Sequence, residues 1–162
     1  MAFFSDEMVK TFERILSRYP VKRSALIPIL HEVQAGDGYL SQEALAEVAT
    51  YLGLHPVEVA ETASFYDLLN LQPVGRYQVL FCHNLSCTLV GGERILAHLE
   101  RALGITAGET TPDGLFTLRR MECLASCGTA PVMQVNGEYY ENLTEAKVDQ
   151  ILNSLRQPAK AT

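Results

Sequence analysis

Positive charge is scarce in this chain: 13 Lys and Arg stand against 19 Asp and Glu among 162 residues, a net charge of -6. The basic residues are scattered, so no face or run offers the positive field that nucleic-acid phosphates or anionic lipid headgroups require. Long apolar runs are missing too. No stretch approaches the eighteen residues that span a bilayer, and Met1-Ala2-Phe3-Phe4-Ser5-Asp6-Glu7 turns acidic before a secretory signal could develop. The expectation is a protein of the reducing cytoplasm with no direct membrane insertion and no nucleic-acid partner. Also lacking are a C-x-x-C motif, a phosphate loop, a dinucleotide fingerprint and any nucleophile spaced with its base. Thioredoxin-type disulfide exchange, nucleotide binding and hydrolytic catalysis all lose their sequence basis, and the chain carries no complete active site of its own.

What remains is four cysteines in two pairs, Cys82 and Cys87 with four residues between them, Cys123 and Cys127 with three. In a reducing compartment, close cysteine pairs are metal ligands or redox groups rather than structural disulfides. Two short loops supply four thiolates, which suit zinc or an iron-sulfur cluster better than magnesium or calcium. A [2Fe-2S] centre takes two sulfurs per iron, and a structural zinc site takes four around one ion. Spacing alone leaves both open, with dithiol chemistry a third reading. Leu85, Leu89 and Val90 in the first loop are an expected apolar cover over the centre. Gly91 and Gly92 would bring a helix start close to it, favouring thiolate through free N-H groups. Arg119 and Arg120 read better as a solvated strand face than as cations acting on the centre. His83 is superfluous as a ligand beside four cysteines, and His31, His55 and His98 have no spaced partner.

Periodicity places these pairs in an α+β chain. Apolar stripes at helical spacing run over Met8, Phe12, Ile15, Leu16 and Tyr19 behind the cap Ser5. They recur over Leu26, Ile29, Leu30 and Val33 behind Ser24, then over Leu45, Val48, Ala49 and Leu52 between Ser41 and Gly53. A fourth covers Val59, Ala63 and Tyr66 after Pro56. These predict a helical bundle over 1–72. After the Asn70–Gly75 connector the period shortens. Tyr77–Phe81 predicts a strand leading into Cys82, a helix follows with Ile95, Leu96, Leu99 and Leu103, and Leu115–Met121 predicts a strand leading to Cys123. Asn136-Gly137 marks a hairpin between Val132–Val135 and Glu138–Tyr140, and Val148, Ile151, Leu152 and Leu155 mark a last helix. The order β-α-β-β-α over 73–162 is that of a thioredoxin-like sheet. In it both cysteine loops leave the carboxyl ends of parallel strands.

The two cysteine pairs, the run Thr111-Pro112-Asp113-Gly114-Leu115-Phe116-Thr117, the segment Cys123-Leu124-Ala125-Ser126-Cys127-Gly128-Thr129-Ala130-Pro131, and Ala63-Ser64-Phe65-Tyr66-Asp67 in the helical half form one combined pattern. It resembles the thioredoxin-like [2Fe-2S] ferredoxins that serve as the E subunit of NADH-quinone oxidoreductase, respiratory complex I. The resemblance implies a [2Fe-2S] cluster of the N1a type ligated by Cys82, Cys87, Cys123 and Cys127. It implies FMN and NADH bound only on the adjacent flavin- and NADH-binding F subunit, with the 1–72 helices docked there. It also implies a place in the peripheral arm, on the cytoplasmic side of the inner membrane. The same module resembles subunits of NAD-linked formate dehydrogenases and of NAD-reducing and electron-bifurcating hydrogenases. Complex I is favoured because the full helical region is present with no hydrogenase region fused on. Where the family usually has glycine between the last two cysteines, this chain has Ala125; a positive φ there would cost of order 1 kcal/mol.

Overall fold

A computed structural model describes residues 3–157. Met1 and Ala2, part of the N-terminal reading above, and residues 158–162 of the predicted second domain lie outside them. The chain divides into two compact units, Met1–Pro73 and Val74–Thr162.

The first unit is four helices, α1 (Asp6–Leu16), α2 (Leu26–Asp37), α3 (Gln42–Leu52) and α4 (Pro56–Phe65). The serine caps expected for α1 and α3 are in place, with Ser5 Oγ accepting from the Met8 N-H at 3.2 Å and Ser41 Oγ from the Ala44 N-H at 3.1 Å. Ser24 is not a cap, because Lys22–Ala25 winds as a tighter helical turn that runs straight into α2. Gly36 stays inside α2, which ends at Gly38. His55, without signal in the sequence, caps α4: its Nδ1 accepts from the Val57 N-H at 3.3 Å while Glu58 Oε2 accepts from the His55 N-H at 3.1 Å. Phe12, Ile29, Leu30, Leu45, Val48, Leu52 and Val59 pack as one core. Tyr19 and Tyr66, assigned to stripes in the sequence, fall beyond the ends of α1 and α4 and stay exposed.

The second unit is a four-stranded sheet with strands β1 (Tyr77–Cys82), β2 (Phe116–Met121), β3 (Met133–Val135) and β4 (Glu138–Tyr140). Its helices are α5 (Leu85–Leu89), α6 (Gly92–Leu103) and α7 (Glu145–Arg156). Strand order is β2-β1-β3-β4, with β1 and β2 parallel and both other pairings antiparallel. The parallel pair needs a crossover, which α6 supplies, burying Ile95, Leu96 and Leu99 on Val79, Phe81, Phe116 and Leu118. The hairpin turn has Asn136 at φ 48° and Gly137 at φ 92°, the left-handed pair that matches strand twist. Val148 and Leu152 of α7 complete the same core. Among the described residues no helix is long and apolar enough to cross a membrane.

The run Thr111–Phe116 is a turn that launches β2. Asp113 Oδ1 accepts from the Leu115 N-H at 2.9 Å and from the Thr111 hydroxyl, and these bonds, the hydroxyl foremost, hold its carboxyl below the ordinary aspartate value. A depressed folded pKa stabilises above the unfolded value and loses that contribution as pH falls through the folded one. Asp113→Asn keeps an acceptor but removes the charge, so its unfolding midpoint should fall less than the wild-type midpoint below about pH 4, measured by denaturant titration across pH.

Candidate metal centre

The parallel pairing of β1 and β2 sets Cys82 opposite Met121 at the carboxyl end of both strands. The two cysteine loops leave the sheet side by side from there. His83 N-H donates to the Met121 carbonyl at 3.1 Å, and His83 Nε2 lies 3.5 Å from Glu122 Oε1, so the residues flanking Cys82 and Cys123 join the loops directly. Cys82 is the last residue of β1 rather than a loop residue, and its N-H donates to the Val132 carbonyl at 3.2 Å. Cys87 sits on the one-turn helix α5, whose start Asn84 caps through Oδ1.

That helix reverses one expectation. Leu85, Leu89 and Val90 do not cover the centre but face solvent, 68%, 76% and 57% exposed, while Cys87 is buried. Residues two apart on a helix point to opposite sides, so turning Cys87 inward turns Leu85 and Leu89 out. The apolar wall comes instead from Leu80, Leu124 and Val132, which cluster with Cys82 and Cys87, and from Met121 and Ala130 against them. Gly92 does permit a close approach, but to the protein backbone. A Cβ there would stand 2.6 Å from the Cys87 carbonyl oxygen.

All four cysteines are free thiols, Cys82 and Cys87 buried, Cys123 and Cys127 exposed. Burial, then a hydrogen bond with Cys82, and then the charges of Cys82 and Cys127 push the Cys87 thiol up to about 11; a bond from the Val132 backbone opposes them. Burial disfavours a bare thiolate at Cys87, and a bound metal cation would offset that cost. Among the described residues no three His, Cys, Asp or Glu side chains are gathered around one metal-ion position. The Ala125 N-H donates to Cys123 Sγ at 3.3 Å, the kind of bond that supports a cluster sulfur. Ala125 makes it at φ 57°, so the alanine does occupy a left-handed position. Pro131, just after this loop, follows a cis peptide bond. Arg120 is exposed and Arg119 half-buried on β2, in keeping with a strand face.

The chain matches the family of thioredoxin-like [2Fe-2S] ferredoxins over residues 12–156. It is a thioredoxin-like [2Fe-2S] ferredoxin. Among curated relatives of this ferredoxin, the second NADH-quinone oxidoreductase E subunit of Rhizobium meliloti is 46% identical over 96% of this chain and 92% of its own. NADH-quinone oxidoreductase subunit 2 of Thermus thermophilus is 42% identical over 96% of this chain and 87% of its own. Among solved structures, an NAD+-reducing [NiFe]-hydrogenase in the air-oxidised state superposes with a TM-score of 0.72 at 30% identity, over 81% of this ferredoxin and 22% of that chain.

Residues that sequence reading passed over also shape this ferredoxin's site. Ser126, Thr129 and Glu141 form a hydrogen-bonded group at the second cysteine loop. Glu141 lies in neither loop, and no sequence signal links it to them.

Two substitutions test the local geometry. Ala125→Gly should raise stability by about 1 kcal/mol by removing a left-handed Cβ, and Gly92→Ala should lower it by about 1–3 kcal/mol by driving a methyl into the Cys87 carbonyl. Denaturant unfolding of the metal-free chain measures both, and equal midpoints for all three proteins would contradict the geometry.

Proposed function

We propose that this ferredoxin is the electron-transfer subunit of an NADH-quinone oxidoreductase, with its [2Fe-2S] cluster, of the N1a type, held by Cys82, Cys87, Cys123 and Cys127. The observation that carries the ligand assignment is the release of both cysteine loops at one end of the parallel pair, joined there by the His83 N-H bond to the Met121 carbonyl. When bound, such a cluster takes up and returns one electron at a time. Leu80, Leu124 and Val132 exclude water from the inner side of the first pair, and the Ala125 N-H steadies Cys123. With no hydride chemistry on this chain, the redox partner supplies it: the FMN- and NADH-binding F subunit. That partner docks on the helical domain of residues 1–72, while the cluster belongs to the [2Fe-2S] domain of 73–162. The whole sits in the peripheral arm on the cytoplasmic side of the inner membrane. Support for this host is the near full-length similarity to two subunits of that enzyme.

A second host, an NAD-reducing hydrogenase, draws on the superposition with the NAD+-reducing [NiFe]-hydrogenase. The aligned part covers only 22% of that chain, and the lower identity makes this the weaker reading.

Anaerobically purified protein should be brown, carry about two irons and two sulfides per chain, and give an EPR signal on dithionite reduction. Serine at any one of the four cysteines should cut cluster content or alter that signal. A colourless protein with about one zinc overturns the proposal. Co-purification with a flavoprotein of quinone-reducing or of hydrogen-oxidising activity separates the two hosts.

A further inference from the structure

Cys127 lies on a turn with little of its own to hold it. The three-residue helical turn Cys127–Thr129 is closed by one backbone bond, Thr129 N-H to the Ser126 carbonyl at 3.2 Å, and both Cys127 and Gly128 are exposed. Short turns of this kind have poor hydrogen-bond geometry, and no apolar burial reinforces this one. A carboxylate from elsewhere in the unit does. Glu141, the residue after β4, accepts at Oε1 from Ser126 Oγ and from Thr129 Oγ1, the latter at 2.7 Å. The two hydroxyls stand 2.7 Å from each other, and Thr129 Oγ1 is also 3.2 Å from the Ser126 carbonyl. One carboxylate oxygen therefore grips the residue before Cys127 and the residue two after it.

The backbone that follows the turn is stapled as well. Asn142 N-H donates to the Thr129 carbonyl at 2.7 Å, Leu143 N-H to the Pro131 carbonyl at 3.0 Å, and Lys147 Nζ to the Glu141 carbonyl at 2.6 Å. The hydroxyl of Ser126, then that of Thr129, hold the Glu141 carboxyl below the ordinary glutamate value, with the Lys147 charge assisting. It is ionised at neutral pH, and bonds from hydroxyls to a carboxylate are the strong kind. Ion, hydroxyls and backbone staples form one clamp.

We propose that Glu141 is the positioning residue for Cys127: its carboxylate locks the Ser126–Thr129 turn and so sets where the Cys127 sulfur stands and how firmly it holds its metal. The inference rests on the reading above in which Cys127 is a cluster ligand. Partners that orient a metal's ligands from behind carry large effects, about 10–100-fold in metal affinity when removed. Glu138, on β4 of the same hairpin and absent from the hydrogen bonds of the clamp, is exposed and serves as the control.

The test compares wild type, Glu141→Ala, Glu141→Gln and Glu138→Gln at matched iron and sulfide content. Glu141→Ala should release iron to a chelator about tenfold faster or more, and shift both the reduction midpoint and the EPR line shape. Glu141→Gln keeps an oxygen that can accept both hydroxyls but loses the charge that strengthens those bonds, so it should fall between Ala and wild type, and Glu138→Gln should match wild type. Wild-type release, midpoint and line shape in Glu141→Ala overturn the proposal. If that variant does not fold, Glu141→Gln decides: values identical to wild type overturn it too. Hydrogen-deuterium exchange of residues 126–131 in metal-free protein keeps the two readings apart. Faster exchange in Glu141→Ala upholds the clamp on the turn whatever the metal, and unchanged exchange removes it; wild-type protein without two irons instead removes the ligand reading.

Discussion

The parallel pairing of β1 with β2 is the constraint from which the site follows. Two antiparallel neighbours would send their following loops to opposite ends of the sheet, and Cys82 would sit a strand's length from Cys123. Parallel strands in register, with Cys82 level with Met121, release both loops at the same edge. The pairing in turn needs a crossover helix, so the apolar face of α6 is as necessary to the cysteine pairs as the strands themselves. Core packing and sulfur chemistry are therefore coupled: Ile95, Leu96 and Leu99 hold the strands whose ends carry the thiols.

The two pairs meet different surroundings, and the structure manages them by different means. Cys82 and Cys87 are buried with Leu80, Leu124 and Val132, where low polarity disfavours bare thiolates and favours a metal to neutralise them. Cys123 and Cys127 are exposed, so burial cannot order them. Polar bonds take over: the Ala125 N-H on Cys123, and the Glu141, Ser126 and Thr129 group around Cys127. Apolar packing on one side and hydrogen bonding on the other yield a site that is dry within and open at its rim.

Much of the fold was legible because it rests on local signals. Ser5 and Ser41 cap the helices they precede, Pro56 opens one, and Asn136-Gly137 makes the hairpin. Errors arose where a local signal admits two geometries. Ser24 precedes an apolar stripe yet lies in a tighter turn, because the chain begins to coil before α2 proper. Leu85, Leu89 and Val90 read as a cover because apolar residues beside cysteines suggest one, but the α5 turn fixes which side each faces. His55 escaped notice because histidine is a rare cap, recognisable only once its ring is seen to accept the Val57 N-H.

The spacing of Cys82, Cys87, Cys123 and Cys127, the absence of competing catalytic motifs, and the helix-then-strand periodicity determined by themselves that the chain is an α+β protein whose chemistry is carried by thiols. Those are properties of neighbours in the chain, where spacing and hydrophobic period translate directly into geometry. The tertiary structure alone decided that Cys87 is buried against Cys82, that Ala125 must hold a left-handed backbone, and that Glu141 closes on hydroxyls 12 and 15 residues before it. Contacts of that kind depend on how strands pair and which way each turn rotates. Both are settled by packing the whole unit, and no local pattern records them.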